Sequence, residues 1–291
     1  MFISPMLLQT APGPFSQNAF IYEPKIDGHR LIYDQPDASH VHLYTRHNNE
    51  CTRQYPEING STSALFPHDI TLDGEIACVD PVTGAVDIEA VTSRLNTKRV
   101  DKIRRLMERL PVTYVVFDIL RYKGKDLRNR PLMERKAILA SLALPNAHFG
   151  VIPYVEGMGE ALFAQMQARA MEGVVAKRKN SLYETGRRSA AWQKIINWTY
   201  AEVYITGYRK QEFGWLAAVP DPSGRLRPAG VIKYGTSTIH RQAFRGMARQ
   251  LIKSEDKEFV YLEPQMRARV RMRNWTKSGM LRSPVFTGFI V

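Results

Sequence analysis

Two cysteines in 291 residues, Cys51 and Cys78, leave no basis for a disulfide framework, and neither lies in a Cys-x-x-Cys or Cys/His cluster of the kind that holds zinc. Two free thiols in a reducing compartment are expected, with a single disulfide as the alternative. Long apolar runs are also missing. No stretch approaches the roughly 18 residues of a membrane-spanning helix, so no membrane-spanning segment is expected, and no membrane partner is proposed. The opening MFISPMLL is apolar but short, Pro5 interrupts it, and it has neither a basic leader nor a small-residue cleavage site, so it does not read as a signal peptide. Repeats and low-complexity tracts are absent. Such a chain is expected to stay in the cytoplasm where it is made.

Acidic charge is scarce as well. Against 41 Lys+Arg there are 28 Asp+Glu, a net charge of +13, with a pI near 9.8. An excess of this sign suits a polyanionic partner, because neutralising phosphates releases their counterions. It does not separate DNA from RNA or from an anionic membrane surface. The remaining composition, 44% hydrophobic and 24% charged, is that of a globular protein with ample core material. The length fits two domains or one large one.

The excess is uneven. Residues 199–291 hold 16 Lys+Arg and 7 Asp+Glu, against 25 and 21 in residues 1–198. The first part mixes element types. Apolar runs at Thr71–Val79, Tyr114–Leu120 and Gly173–Ala176 predict buried strands, and Asp101–Leu110, Pro131–Ala143 and Ala161–Met171 predict helices, with Pro131 suited to a first helical position. Beyond a change of character near Ile196–Tyr200 come strand-like pieces at Glu202–Tyr208, Gly214–Val219, Gly230–Tyr234 and Glu258–Leu262, punctuated by Gly and Pro, with one helix at Ile239–Leu251. The fold class expected is α+β: a domain over 1–198 with antiparallel and mixed sheets, then an all-β barrel of the OB type over 199–291. A basic OB barrel suits nucleic acid, and a merely solvated basic surface is the alternative.

One stretch concentrates reactive groups: Glu23-Pro24-Lys25-Ile26-Asp27-Gly28-His29-Arg30. A lysine amine attacks phosphorus only when neutral. Its ordinary pKa is about 10.4, and burial or nearby cations lower it. The glycine permits close backbone approach, and the arginine fork suits ribose or phosphate. Alone, the stretch also reads as a charged turn at a strand end. Further segments follow in order. Leu72-Asp73-Gly74-Glu75 and Tyr114-Val115-Val116-Phe117-Asp118 each put a carboxylate at the end of an apolar strand. Glu172-Gly173-Val174-Val175-Ala176-Lys177 adds a lysine. Ser189-Ala190-Ala191-Trp192-Gln193-Lys194 follows the basic turn Gly186-Arg187-Arg188.

This ordered series resembles the covalent nucleotidyltransferases, and its details resemble the ATP-dependent DNA ligases. Tyr44-Thr45-Arg46-His47-Asn48-Asn49-Glu50 is similar to the arginine segment after the ligase nucleophile. Ile3-Ser4-Pro5-Met6-Leu7 and residues 273–286, from Arg273-Asn274-Trp275 to Pro284-Val285-Phe286, are similar to the start and the barrel ending of small bacterial and phage ligases and of bacterial end-joining ligase domains. The resemblance implies a nucleotidyltransferase (adenylation) domain and an enzyme that seals 5′-phosphate/3′-hydroxyl nicks in duplex DNA. Lys25 would take AMP from ATP, pass it to the 5′-phosphate, and the 3′-hydroxyl would then displace it. It further implies Glu23 as acceptor for the adenine amino group, Phe117 as its stacking partner, and Glu75 and Glu172 as ribose and metal carboxylates with Mg²⁺, or Mn²⁺ in its place. Arg30, Arg46 and Arg188 would contact ribose and phosphates. Lys194 would meet the α-phosphate, and Asp27 would serve the sealing step. Arg46, Arg273 and Lys277 would touch DNA. A core phenylalanine at 117 and a structural turn at Asp27 remain open readings. A monomer of bacterial or phage origin working at the nucleoid is expected, its barrel swinging about a hinge near Asn197–Tyr200.

Two departures stand out. Ile196 occupies the place of a second lysine after Lys194, so some stabilisation of the α-phosphate is absent or is supplied by Lys177, Arg178 or Lys179. The ending Gly288-Phe289-Ile290-Val291 lacks a basic motif that many relatives carry, so a slower first step is expected. An RNA ligase or GTP-dependent capping enzyme, and a non-catalytic nucleic-acid-binding descendant, remain open on sequence alone.

Overall fold

Alternation along the strands explains the layering of the first unit, Met1–Asn197. The computed structural model describes residues 2–60, 66–79 and 86–290. In chain order come β1 (Leu7–Thr10), β2 (Phe20–Pro24), β3 (His29–Gln35), β4 (His42–Thr45), α1 (Pro56–Asn59), β5 (Ile70–Ala77), α2 (Ile88–Asn96), α3 (Val100–Arg109), β6 (Thr113–Tyr122), β7 (Lys125–Asp126), α4 (Leu132–Ala140), β8 (Phe149–Val151), β9 (Val155–Glu156), α5 (Gly159–Ala168), β10 (Gly173–Arg178) and β11 (Arg188–Ile196). They form two sheets. One has the order β1-β11-β10-β2-β9, with β1 parallel to β11. The other has the order β4-β3-β5-β6-β7, with β8 added parallel to β6.

Each sheet buries both faces, which is why its strands read as apolar runs. In the second sheet, Leu31 and Tyr33, Leu72 and Ile76, and Tyr114 and Val116 join Ile58 of α1 and Val91 of α2 in one core. In the first sheet, Phe20, Tyr22, Val174, Ala176 and Ile195 pack on Leu162, Phe163 and Met166 of α5. The opposite faces meet each other. Ile21 and Trp192 of the first sheet and Ile32 and Leu120 of the second share a cluster with Met6, Leu132 and Tyr183. The two sheets therefore enclose one apolar layer, and polar residues further along the same faces line a cleft. The cysteines are both free and buried, and burial pushes Cys51 up to about 12 and Cys78 up to about 11.

The second unit, Trp198–Val291, contains β12 (Thr199–Arg209), β13 (Trp215–Pro220), β14 (Leu226–Ile232), α6 (Thr238–Ala248), β15 (Ile252–Glu255), β16 (Phe259–Met272) and β17 (Val285–Ile290). Its sheet runs β14-β13-β12-β16-β15, with β17 on β16, and Tyr234 bridges to Val285 so that the two ends approach. Trp215 stacks on Phe244 of α6 at 4.5 Å inside this curled sheet. Ser237 caps α6 reciprocally with His240. A mixed-sheet α+β unit is followed by an OB-type barrel.

Several element boundaries differ from the sequence expectation. Glu75 and Phe117 lie within β5 and β6 rather than at strand ends, because both strands continue past the polar residues that face the cleft. Pro131 caps α4 from outside, with φ −51° and ψ 145°, and Leu132 is the first helical residue. β14 starts at Leu226 and passes through Pro228, which an edge strand tolerates. β16 runs ten residues beyond Leu262, with Arg267 and Arg269 exposed and Ala268, Val270 and Met272 buried in alternation.

The buried residues of α4 are Leu132, Arg135, Lys136 and Leu139. Arg135 forms a bidentate pair with Asp118 of β6, both contacts at 2.8 Å and both side chains fully buried. Arg135→Met should cost about 3–5 kcal/mol, because it leaves Asp118 as an uncompensated buried charge. Urea unfolding should show this as a lower midpoint with an unchanged slope. Asp118→Leu with Arg135→Met should recover most of the loss.

Candidate active site

The cleft is assembled by register. Val175 of β10 pairs with Glu23 of β2 on one side and Lys194 of β11 on the other, so these three share a face. Lys177, two residues on, shares it with Ile21 and Trp192. In the facing sheet, Arg30 of β3 lies opposite Glu75 of β5. Together they bound a cleft whose walls include Glu23, Lys25, Arg30, Glu75 and Phe117, the candidate substitute Lys177 and, beyond the residues given a role in advance, Val175 and Trp192.

Lys25 lies just past β2. Its backbone N–H donates to the Gly173 carbonyl at 2.9 Å, and its Nζ is 2.6 Å from Glu172 Oε2. Two glycines make this approach possible. A Cβ on Gly28 would lie 2.1 Å from the Ile76 carbonyl oxygen. Gly173 has φ +135°, and a Cβ there would lie 2.0 Å from the Ile195 carbonyl oxygen. Asp27 sits in the same loop, part-buried.

Arg30 is held firmly. Its Nε and Nη2 donate to Asp73 at 2.9 and 2.6 Å, and its Nη1 donates to the Met6 carbonyl at 2.6 Å. The Tyr183 hydroxyl donates to Asp73 at 2.6 Å. Burial opposes the guanidinium charge, but Asp73 outweighs it and raises the pKa. The Arg30 guanidinium is 5.3 Å from the Phe117 ring centre. Burial likewise pushes Glu75 up to about 7, against the pull of Lys25 and Arg30 and with the repulsion of Glu172.

Glu23, only 2% exposed, accepts from two lysines: Lys136 of α4 at Oε1 and Lys177 at Oε2, the latter at 2.8 Å. Lys177 Nζ lies 4.3 and 4.1 Å from the Phe117 and Trp192 ring centres. Burial lowers its pKa to about 8, partly offset by Glu23 and reinforced by Lys136.

The other expected residues lie elsewhere. Arg188 is exposed at the start of β11 and donates to the Leu8 carbonyl. Arg46 is exposed at the tip of the turn after β4, 3.2 Å from His47 Nε2, and Asn48 in that turn takes the left-handed conformation with φ 61°. Arg273 and Lys277 belong to the second unit. Arg273 lies 5.2 Å from the Trp198 ring centre, and Lys277 is exposed in a turn. Of the three candidates to replace the lysine absent at Ile196, only Lys177 lines the cleft. Arg178 lies against Phe20 on the other face, and Lys179 pairs with Glu156. Asp73, Tyr183 and Lys136 were not anticipated. The signal for Lys136 was the spacing of Leu132, Arg135, Lys136 and Leu139, which sets two cations on the apolar stripe of a helix.

Residues 5–195 match the family described as the ATP dependent DNA ligase domain. The chain belongs to the ATP-dependent DNA ligases. Residues 209–289 match the C-terminal region of the same ligases. The chain is 38% identical to the SPbeta prophage-derived DNA ligase-like protein LigB of Bacillus subtilis, over the whole of both chains. It is 30% identical to the multifunctional non-homologous end joining DNA repair protein LigD of Mycobacterium tuberculosis, covering 98% of this chain and 38% of that protein. A solved structure, the mycobacterial DNA ligase D complexed with ATP and MES, superposes with a TM-score of 0.58 at 27% identity, covering 99% of this chain and 95% of that one. Ligases of this family use ATP and a divalent metal and seal nicks through a lysyl-AMP intermediate. Among the described residues no helix is long and apolar enough to cross a membrane, and no three His, Cys, Asp or Glu side chains converge on a point that could hold a metal.

The raised pKa of Glu75 has a measurable consequence for this ligase. A carboxyl at about 7 when folded holds its proton more tightly than in the unfolded chain. Stability is therefore lost as pH rises from the ordinary carboxylate range through about 7. Glu75→Gln removes that loss, so its urea midpoint should gain on wild type between pH 5 and 8. Parallel curves would show that Glu75 titrates as an ordinary exposed carboxyl.

Proposed function

We propose that the cleft between the two sheets transfers AMP from ATP to Lys25 and then to the 5′-phosphate of a nick in duplex DNA. The observation that carries this reading is the 2.6 Å pairing of Lys25 Nζ with Glu172 beside Glu75 and Arg30. An amine in an ion pair carries a proton and cannot attack, so the base must be at hand, and Glu172 Oε2 is. Glu172 takes the first proton so that the amine attacks neutral; as the Nζ–P bond forms, the α–β phosphoanhydride bond breaks, and the second Nζ proton leaves with the departing pyrophosphate. An oxygen of the 5′-phosphate then attacks the same phosphorus and the Nζ–P bond breaks. Finally the 3′-hydroxyl attacks the 5′-phosphate and AMP leaves, with Asp27 serving this sealing step.

The remaining roles follow from position and chemistry. Glu23 accepts from the adenine amino group, and Phe117 lies against the ring. Arg30, in the cleft wall, contacts ribose and phosphates; Arg46 and Arg188, outside that wall, are assigned such contacts by the family resemblance alone, and Lys194, on the cleft face of β11, offsets charge on the α-phosphate. Glu75 and Glu172 are hard oxygen donors that would hold a hard cation beside the phosphates, so Mg²⁺, with Mn²⁺ as substitute, is the metal proposed. When bound, it would neutralise charge on the phosphate oxygens. Residues 1–198 carry the transfer, and the basic barrel of 199–291, through Arg273 and Lys277, holds the duplex together with Arg46. The working unit proposed is a monomer. Its charge and its bacterial and prophage relatives support work at the nucleoid in the cytoplasm.

Incubation with α-labelled ATP and Mg²⁺ tests this. Label should remain on the denatured wild-type chain, be absent from Lys25→Ala, and pass to a sealed duplex when nicked DNA is added. Label that persists in Lys25→Ala would identify another nucleophile and overturn the assignment.

A further inference from the structure

Glu23 carries one more positive partner than its charge needs. Lys136 reaches it from α4 and Lys177 from β10, all three side chains buried, one lysine on each carboxylate oxygen. The two lysines differ. Lys177 lines the cleft and lies against both Phe117 and Trp192. Lys136 is not part of the cleft wall. It stands behind Glu23, 5.6 Å from the Tyr154 ring centre, on the helix that Arg135 anchors through Asp118. Lys136 therefore touches neither the nucleotide space nor Lys25, and acts on the cleft through Glu23.

We propose that Lys136 is a positioning residue that sets base selection, by fixing Glu23 as an ion-paired acceptor facing the cleft. The inference rests on the reading of the cleft as the ATP site. An ion-paired carboxylate offers lone pairs and no proton. It matches the 6-amino donor of adenine and opposes the O6 acceptor that guanine has in the same place. Without Lys136, one oxygen of a buried carboxylate loses its partner. The side chain lowers that cost by turning or by taking up a proton. Either change ends the discrimination, since a protonated carboxyl can donate to O6.

Lys136→Met tests this, with label transfer and direct nucleotide binding each measured for ATP and GTP. The preference for ATP over GTP, read as the ratio of affinities and as the ratio of 1/KM values, should fall at least tenfold. The rate at saturating ATP should stay within about threefold, because Lys25, Glu172 and Glu75 are untouched. Lys136→Gln, which keeps one neutral donor, should fall between wild type and Lys136→Met, and it carries the test if the methionine variant does not fold. A role in folding alone would lower the melting temperature and the rate while leaving the ATP-to-GTP ratio within twofold of wild type, and that outcome overturns the inference. Wild-type protein that takes label from neither nucleotide would instead overturn the ATP-site reading, and this inference with it.

Discussion

A single guanidinium ties together the segments on which the cleft depends. Arg30 leaves β3, grips Asp73 of β5 with two hydrogen bonds, and holds the Met6 carbonyl just before β1. Tyr183, shortly before β11, closes the group from the other side through Asp73. Strands of both sheets are thereby fixed by groups that satisfy one another in the dry layer between them. A buried charge with several partners is stable only as a set, so the loss of one member strands the others. The spacing of the two walls, and hence the placing of Glu75 against Lys25, follows from that set.

The same logic explains why α4 turns cations inward. Asp118 and Glu23 are carboxylates on buried strands, and each would be prohibitively costly alone. Arg135 and Lys136 are successive residues on the stripe that faces those strands, so one helix neutralises one acid in each sheet. Packing and electrostatics are not separable here: the contact that docks the helix is also the contact that allows the acids to be buried.

Linear segments made part of this legible in advance. Lys25, Glu75, Phe117 and Glu172 came to notice through the order of several short segments, none of which is specific alone, and the cleft wall includes the first three. The two-unit division could be read from the charge shift and from the change of strand rhythm near residue 198. What was missed is what the chain brings together from far apart. Tyr183 and Asp73 are 110 residues apart, and Lys136 and Glu23 are 113 apart. β16 was read as less than half its length, because outward arginines alternating with inward Ala, Val and Met look polar on average. Strict period-two alternation, rather than mean hydropathy, was the signal that counted.

Gly28 carries a consequence of its own. No side chain fits there, since the Ile76 carbonyl already occupies the place of a Cβ. The loop after β2 is therefore pressed on β5, and the Lys25 amide is also hydrogen-bonded to Gly173. The backbone of Lys25 has surrendered its freedom before any nucleotide arrives. Only four side-chain torsions remain, an entropy of at most about 2 kcal/mol at room temperature. The lysine's share of the ordering that the reaction demands has thus been met in advance, during folding, by a residue with no side chain, and the nucleotide's share is left to binding.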